Sequence, residues 1–158
     1  MAVINVTSGS QAVLVLGNTS PLATPGAANS LVVPFMQDIT VNATPGTVRY
    51  STLDSTASSA FTTVNENSIS LNVLLDEDVF FGASNAANKV ANDGLLTTSI
   101  NKEEVFFSVA FEGTDSSDYY VSGKGFISGL APTASVDGAV WLSPMEIIVN
   151  GELTKDNV

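Results

Sequence analysis

Residues 139–153 alternate. Ala139, Trp141, Met145, Ile147, Val149, Gly151 and Leu153 share one parity, and Val140, Leu142, Glu146, Asn150 and Glu152 share the other. A period of two puts these sets on opposite faces of a β-strand, an arrangement no helix reproduces. Such a strand would be about 50 Å long, far beyond the usual five or six residues. Pro144 cannot donate to a sheet ladder, so it marks a bulge, a bend or an edge position. Residues 118–130 form a second extended run, joined to the first through a polar turn at 132–138. Together they predict a long terminal hairpin with Trp141 in its core. A hairpin of this length offers a sheet for assembly; it is not a frame around a pocket.

The rest of the chain reads as partners for that hairpin. Residues 11–16 (QAVLVL) predict a first strand, ended by Gly17-Asn18. Residues 31–41 predict a second, with Pro34 inside it and Val33, Phe35, Ile39 and Val41 on one face. Residues 1–10 read as an N-terminal arm and 155–158 as a frayed tail. Residues 42–65 read as a long loop with the turn signal Pro45-Gly46, a candidate strand tip at Val48-Arg49-Tyr50, and a segment 51–63 poor in core-forming residues apart from Leu53 and Phe61. The alternative for this segment is a β-hairpin that orders against a neighbouring subunit. Ile69, Leu71, Val73 and Leu75 alternate with Ser68, Ser70 and Asn72, which predicts a half-buried strand. Asp76-Glu77-Asp78 then suits the positive end of a helix dipole. Phe80, Ala83, Ala87 and Val90 recur at helical spacing up to the stop signal Asn92-Asp93-Gly94. One helix within 78–92 is expected, then a short connection at 95–100, a strand over 104–111 and a turn at 113–118. The order predicts one mainly-β domain over residues 1–158: an antiparallel sandwich or barrel with one flanking α-helix.

Composition bears on what covers that domain. Apolar residues make up 44% of the chain and charged residues only 13%, about half the usual share. So few charges cannot coat a monomer, which suggests that copies of the chain bury each other's surfaces. The charge that exists is acidic, 16 Asp and Glu against five Lys and Arg, for a net of −11. Arg49, Lys89, Lys102, Lys124 and Lys155 are scattered, so the chain should repel DNA or RNA. There is no Cys and no His. A disulfide framework and a thiolate metal site are therefore excluded, and the commonest general base is missing. Residues 1–10 lack the basic and apolar regions of a signal peptide, and no run approaches the length of a membrane-spanning helix.

The acidic clusters have plain readings. Asp76-Glu77-Asp78 could in principle ligate Ca²⁺, but a helix start explains it better. Glu103-Glu104 and Glu146 could in principle act as paired carboxylates on a glycoside. With a single Trp, itself on the core parity, the aromatic platform such a site needs is missing. Gly123-Lys124-Gly125 lies inside an extended run and opens no helix, so it is no phosphate loop; its glycines relieve crowding or curve the strand. No enzyme activity, cofactor or metal is expected.

The terminal meander resembles the major tail tube proteins of long-tailed bacteriophages. The matching parts are residues 104–112, then YVSGKGFISGL at 120–130, the Asp137-Gly138 step, and the closing strand EIIVNGEL at 146–153. The resemblance extends over residues 67–153, and to the first third by position and general character. It implies hexameric rings whose inner sheets join around a lumen and which stack into a tube for genome DNA. The same fold family includes the tube protein of type VI secretion machines. On this reading the partners are other copies of the chain and other tail proteins: baseplate or tip, terminator, tape measure and, in a contractile tail, sheath. DNA passes without specific binding. Arg49, Tyr50, Leu53 and Phe61, in the long loop, become candidate subunit contacts. Glu146, Asn150 and Glu152, on the wetter parity of the last strand, become candidates for the lumen. The competing readings are another tube or virion component, such as a tail terminator or capsid decoration protein, and a soluble β-sandwich binding module.

Overall fold

The computed structural model describes residues 12–18, 30–53, 57–83, 88–111, 119–134, 137–138 and 140–157. The expected arm at 1–10 and the turn at 113–118 lie outside them. The elements in chain order are β1 (Val13–Gly17), β2 (Ser30–Val32), β3 (Met36–Tyr50), β4 (Ser59–Leu74), α1 (Glu77–Phe81), α2 (Lys89–Ile100), β5 (Glu104–Ala110), β6 (Tyr119–Ser128), β7 (Thr133–Ala134), β8 (Trp141–Val149) and β9 (Thr154–Asn157). The strands form one antiparallel sheet in the order β2-β1-β5-β6-β8-β4-β3, with β7 paired to β8 and β9 to β6. Among the described residues the path does not close, and β2 and β3 stand at its ends.

Alternation builds the core. Leu14 and Leu16 of β1, Ile69, Leu71 and Val73 of β4, Val105, Phe107 and Val109 of β5, Ile127 of β6, and Met145 and Ile147 of β8 form one buried cluster, joined by Val90 and Leu95 from α2. Burying an aliphatic side chain of this kind contributes ~1.5–3 kcal/mol. The mainly-β reading with a helical flank therefore stands. Gly125 on β6 shows why glycine interrupts this pattern. A Cβ there would lie 2.3 Å from the Ile148 carbonyl oxygen on the neighbouring strand.

The helical segment differs from its expected form. Asp76 caps α1, its carboxylate accepting from the Val79 amide at 3.2 Å. Asn88 caps α2, accepting from the Val90 amide at 2.9 Å. Asn92-Asp93-Gly94 does stop the first helical segment: Gly94 leaves helical geometry at φ 77°, ψ 165°, and a second segment runs on through Ile100. Leu95 and Thr98 are buried on the far side of the kink, and Thr98 Oγ1 donates to the Gly94 carbonyl at 2.8 Å. Packing against the sheet restarts a helix that the local stop signal interrupts, so 95–100 is not a simple connection. Lys89, at the start of α2, pairs with Glu103; this hydrogen bond raises the lysine above its ordinary pKa.

The strands differ at both ends of the chain. Residues 31–41 are not one run: Val33, Pro34 and Phe35 separate β2 from β3, and Phe35 holds φ 54°. The segment expected as a loop at 42–65 is the outer part of a long β3–β4 hairpin, paired as far as Tyr50↔Ser59. The longest strands are thus β3 and β4, of 15 and 16 residues, and not the terminal run. β8 has only nine residues, since Gly151 (φ 104°) turns the chain after Val149. The expected frayed tail returns as β9 along β6, Thr154 opposite Ser122.

Trp141 is the clearest correction. It opens β8 with 53% of its surface exposed, whereas Met145 and Ile147, on the same parity, are buried. The core lies under the middle of β8, and Trp141 stands past its rim.

Candidate assembly surfaces

The outward parity of β3, β4, β8 and β6 forms a polar face. Across the sheet it reads Thr40, Ser70, Glu146 and Ser128 in one row, and Asn42, Ser68, Ile148 and Phe126 in the next. Short hydroxyl and amide side chains hold it together. Asn42 Nδ2 donates to Ser68 Oγ at 3.3 Å, and Asp38 accepts from the Asn72 amide and side chain at 2.9 and 2.8 Å. Asp38, Thr40, Ser70, Asn72 and Glu146 line a shallow depression there. Asn150 continues the face, donating from Nδ2 to Glu104 Oε1 at 2.6 Å, while Lys124 stands 3.6 Å from the same carboxylate. The face carries acids and hydroxyls with Ile148 and Phe126 exposed among them, and Lys124 stands beside an acid. Glu152 does not share this face. Beyond the turn at Gly151 it lies with Leu153 beside Ala43, Asn65 and Asn67, on the core-side parity of the hairpin. The sequence parity breaks at that turn.

The second surface is a ribbon. β4 pairs with β8 over residues 68–74, so among the described strands residues 59–66 have β3 as their sole neighbour, and every one of them is exposed. The facing residues 47–50 of β3 are exposed too. A two-stranded ribbon bare on both faces is marginal in water. This one also carries apolar side chains: Val48, Tyr50, Leu53, Phe61 and Val64 are all exposed, Leu53 completely. Tyr50 and Phe61 stack at 6.0 Å between ring centroids. The structure thus brings Arg49, Tyr50, Leu53 and Phe61 together at the end of the ribbon, all four exposed.

A third surface was not anticipated. Leu75, Phe80, Phe81, Leu96, Pro132 and Trp141 line an open groove of purely apolar character. Phe80 is buried and holds Phe81 edge-on at 5.1 Å, leaving Phe81 58% exposed. The sequence did carry a signal for it. Val140, Trp141 and Leu142 are three successive large apolar residues, which one strand face cannot bury together, and all three are exposed.

No protein-family model and no curated protein matches this sequence. Solved structures match it in shape. A chain from the tail of an empty gene transfer agent particle, with C6 symmetry, superposes with a TM-score of 0.63 at 15% identity, covering 96% of this chain and 99% of that one. A chain of the native gene transfer agent virion gives 0.64 at 13% identity over the same shares. A chain of the sixfold-symmetrised anti-feeding prophage baseplate gives 0.58 at 10% identity, covering 100% of this chain and 99% of that one. This chain shares the fold of these tail, virion and baseplate chains.

Proposed function

We propose that this protein is a structural subunit of a phage-type tail, assembling with copies of itself into six-membered rings that stack into a tube. The observation that supports the reading is the match of 96% of this chain to 99% of a chain from a C6-symmetric tail. Two features support it. The edge at β3 can extend the sheet into a neighbouring subunit, which relieves the exposed ladder of a 15-residue edge strand. The bare ribbon of β3 and β4 can order against another ring. The polar face with Asp38, Glu146 and Asn150 is the candidate lumen wall. An acidic wall of short hydroxyl groups repels phosphate and gives DNA nothing to grip. The protein would act in the virion tail, after synthesis in the host cytoplasm, beside baseplate or tip, terminator, tape-measure and any sheath proteins, and without catalysis.

Negative-stain electron microscopy of the purified chain tests this. Rings or tubes with a central channel are expected. A monomer that sediments unchanged up to high concentration would overturn the reading. The likeness to a baseplate chain favours one alternative, a tube component at the baseplate end. Single rings that never stack would point there.

A further inference from the structure

The turn that ends β8 holds the parts of a self-modification reaction. Asn150-Gly151 is the one Asn-Gly step in the sequence. The fold uses both residues. Gly151 holds φ 104°, a conformation that side-chain-bearing residues rarely adopt, and so turns the chain towards β9. Asn150 is tied across β6. Its backbone amide donates to the Lys124 carbonyl at 2.7 Å, and its Nδ2 donates to Glu104 Oε1 on β5 at 2.6 Å. Lys124 Nζ stands 3.6 Å from the same carboxylate oxygen. The next amide is different. Among the described residues the Gly151 N–H has no hydrogen-bond acceptor. Asn150 and Gly151 are both exposed, and nothing lies within 4 Å of the Gly151 Cβ position. A backbone nitrogen that is unbonded, wet and uncrowded can lose its proton and attack the side-chain carbon of the asparagine before it. Asn67, which precedes Ser68, shows the opposite case: it is buried within the β3–β4 ladder.

We propose that Asn150 is a site of spontaneous deamidation, with Glu104 as the positioning residue that slows it. The Gly151 nitrogen gives its proton to solvent and bonds to Asn150 Cγ. The Cγ–Nδ2 bond breaks, Nδ2 takes up a proton, and ammonia leaves. Water then opens the cyclic imide at either carbonyl. One opening leaves aspartate at position 150 in an ordinary backbone. The other leaves isoaspartate, with the main chain routed through the former side chain and one methylene longer. Water is the only co-reactant, and nothing is oxidised or reduced. While Glu104 holds Nδ2, Cγ cannot swing onto the Gly151 nitrogen, so that hydrogen bond sets the pace. The product places a carboxylate where a donor met Glu104, and repulsion replaces the hydrogen bond. The net charge of −11 gains one more negative unit, on the polar face. The isoaspartate form also lengthens the link to β9 and loosens Thr154–Asn157 from β6. The reaction needs only the single subunit, so it stands apart from the tube reading.

Mass spectrometry of the full, unassembled chain tests the site. Incubated at mildly alkaline pH, the wild type should gain one dalton at Asn150 and take up one heavy oxygen from labelled water. The gain should slow at mildly acidic pH, because the attacking amide must first lose its proton. Gly151→Ala should slow it several-fold, since a methyl group crowds ring closure. Glu104→Ala, at an exposed position, should hasten it several-fold, and Lys124→Ala, which spares the Glu104–Asn150 bond, should not. As a second measurement, Asn150→Asp should lower the urea midpoint at neutral pH, and Glu104→Gln in the same chain should restore it. An Asn150 that keeps its amide under conditions that convert a free peptide of residues 146–153 would overturn the site. Equal rates in the wild type and Glu104→Ala would overturn the role of Glu104.

Discussion

Gly94→Ala concentrates two costs at the joint that positions the groove. At φ 77° and ψ 165° Gly94 occupies a region that is essentially reserved for glycine, and another residue held there loses ~1–3 kcal/mol. The new Cβ would also stand 2.4 Å from the Gly82 nitrogen, 2.5 Å from the Phe81 carbonyl carbon and 2.6 Å from the Phe80 carbonyl oxygen. These are backbone atoms, so no side-chain rotation relieves the clash, and α1 must move away from α2. Overpacking of this kind costs ~1–3 kcal/mol. The sum is about 2–6 kcal/mol. Gly151→Ala is the matched control, because Gly151 sits at φ 104° with nothing within 4 Å of its Cβ position. It should show the backbone cost alone. Both substitutions also stiffen the unfolded chain by a similar amount, which cancels between them. Urea denaturation of the unassembled protein, followed by the fluorescence of its single Trp, measures the two midpoints. Gly94→Ala should be the less stable by ~1–3 kcal/mol. Equal midpoints would refute the close approach of α1 to α2.

Other perturbations separate core from surface. Ile147→Ala, at a fully buried position, should cost ~2–5 kcal/mol in the same denaturation. Trp141→Ala should cost the free subunit less than the ~3–5 kcal/mol of a buried Trp, and acrylamide should quench Trp141 in the unsubstituted subunit. Replacing residues 47–62 by a two-residue turn should leave the far-ultraviolet circular dichroism of the sheet in place and abolish stacking; tubes that persist would remove the ribbon from the contact. Glu146→Lys should shift stability by under ~0.5 kcal/mol and give assembled tubes a salt-sensitive hold on DNA; tubes still indifferent to DNA would take Glu146 off the lumen wall.

The sequence by itself determined the β class, the strand over 69–75 and the inward parity of Met145, Ile147 and Val149. Each of these follows from local alternation, which the pleat converts directly into faces. It also determined that Asp76-Glu77-Asp78 opens a helix, and the structure shows Asp76 as its cap. Tertiary structure decided the rest, wherever neighbours outweigh local signals. Residues 42–65 look like a loop because of Pro45-Gly46 and the small polar residues of 51–63, yet backbone pairing across β3 and β4 needs no core. Asn92-Asp93-Gly94 is a sound stop signal, and a second helical segment follows it because Leu95 and Thr98 find a buried seat there. Parity carried Trp141 into the core and Glu152 onto the face of Glu146, because alternation says which way a residue points and not how far the core extends. The core ends before Trp141, and the turn at Gly151 ends the strand before Glu152. The placement of two apolar surfaces at opposite ends of one hairpin depends on the length of β4, which only pairing with β3 and β8 sets.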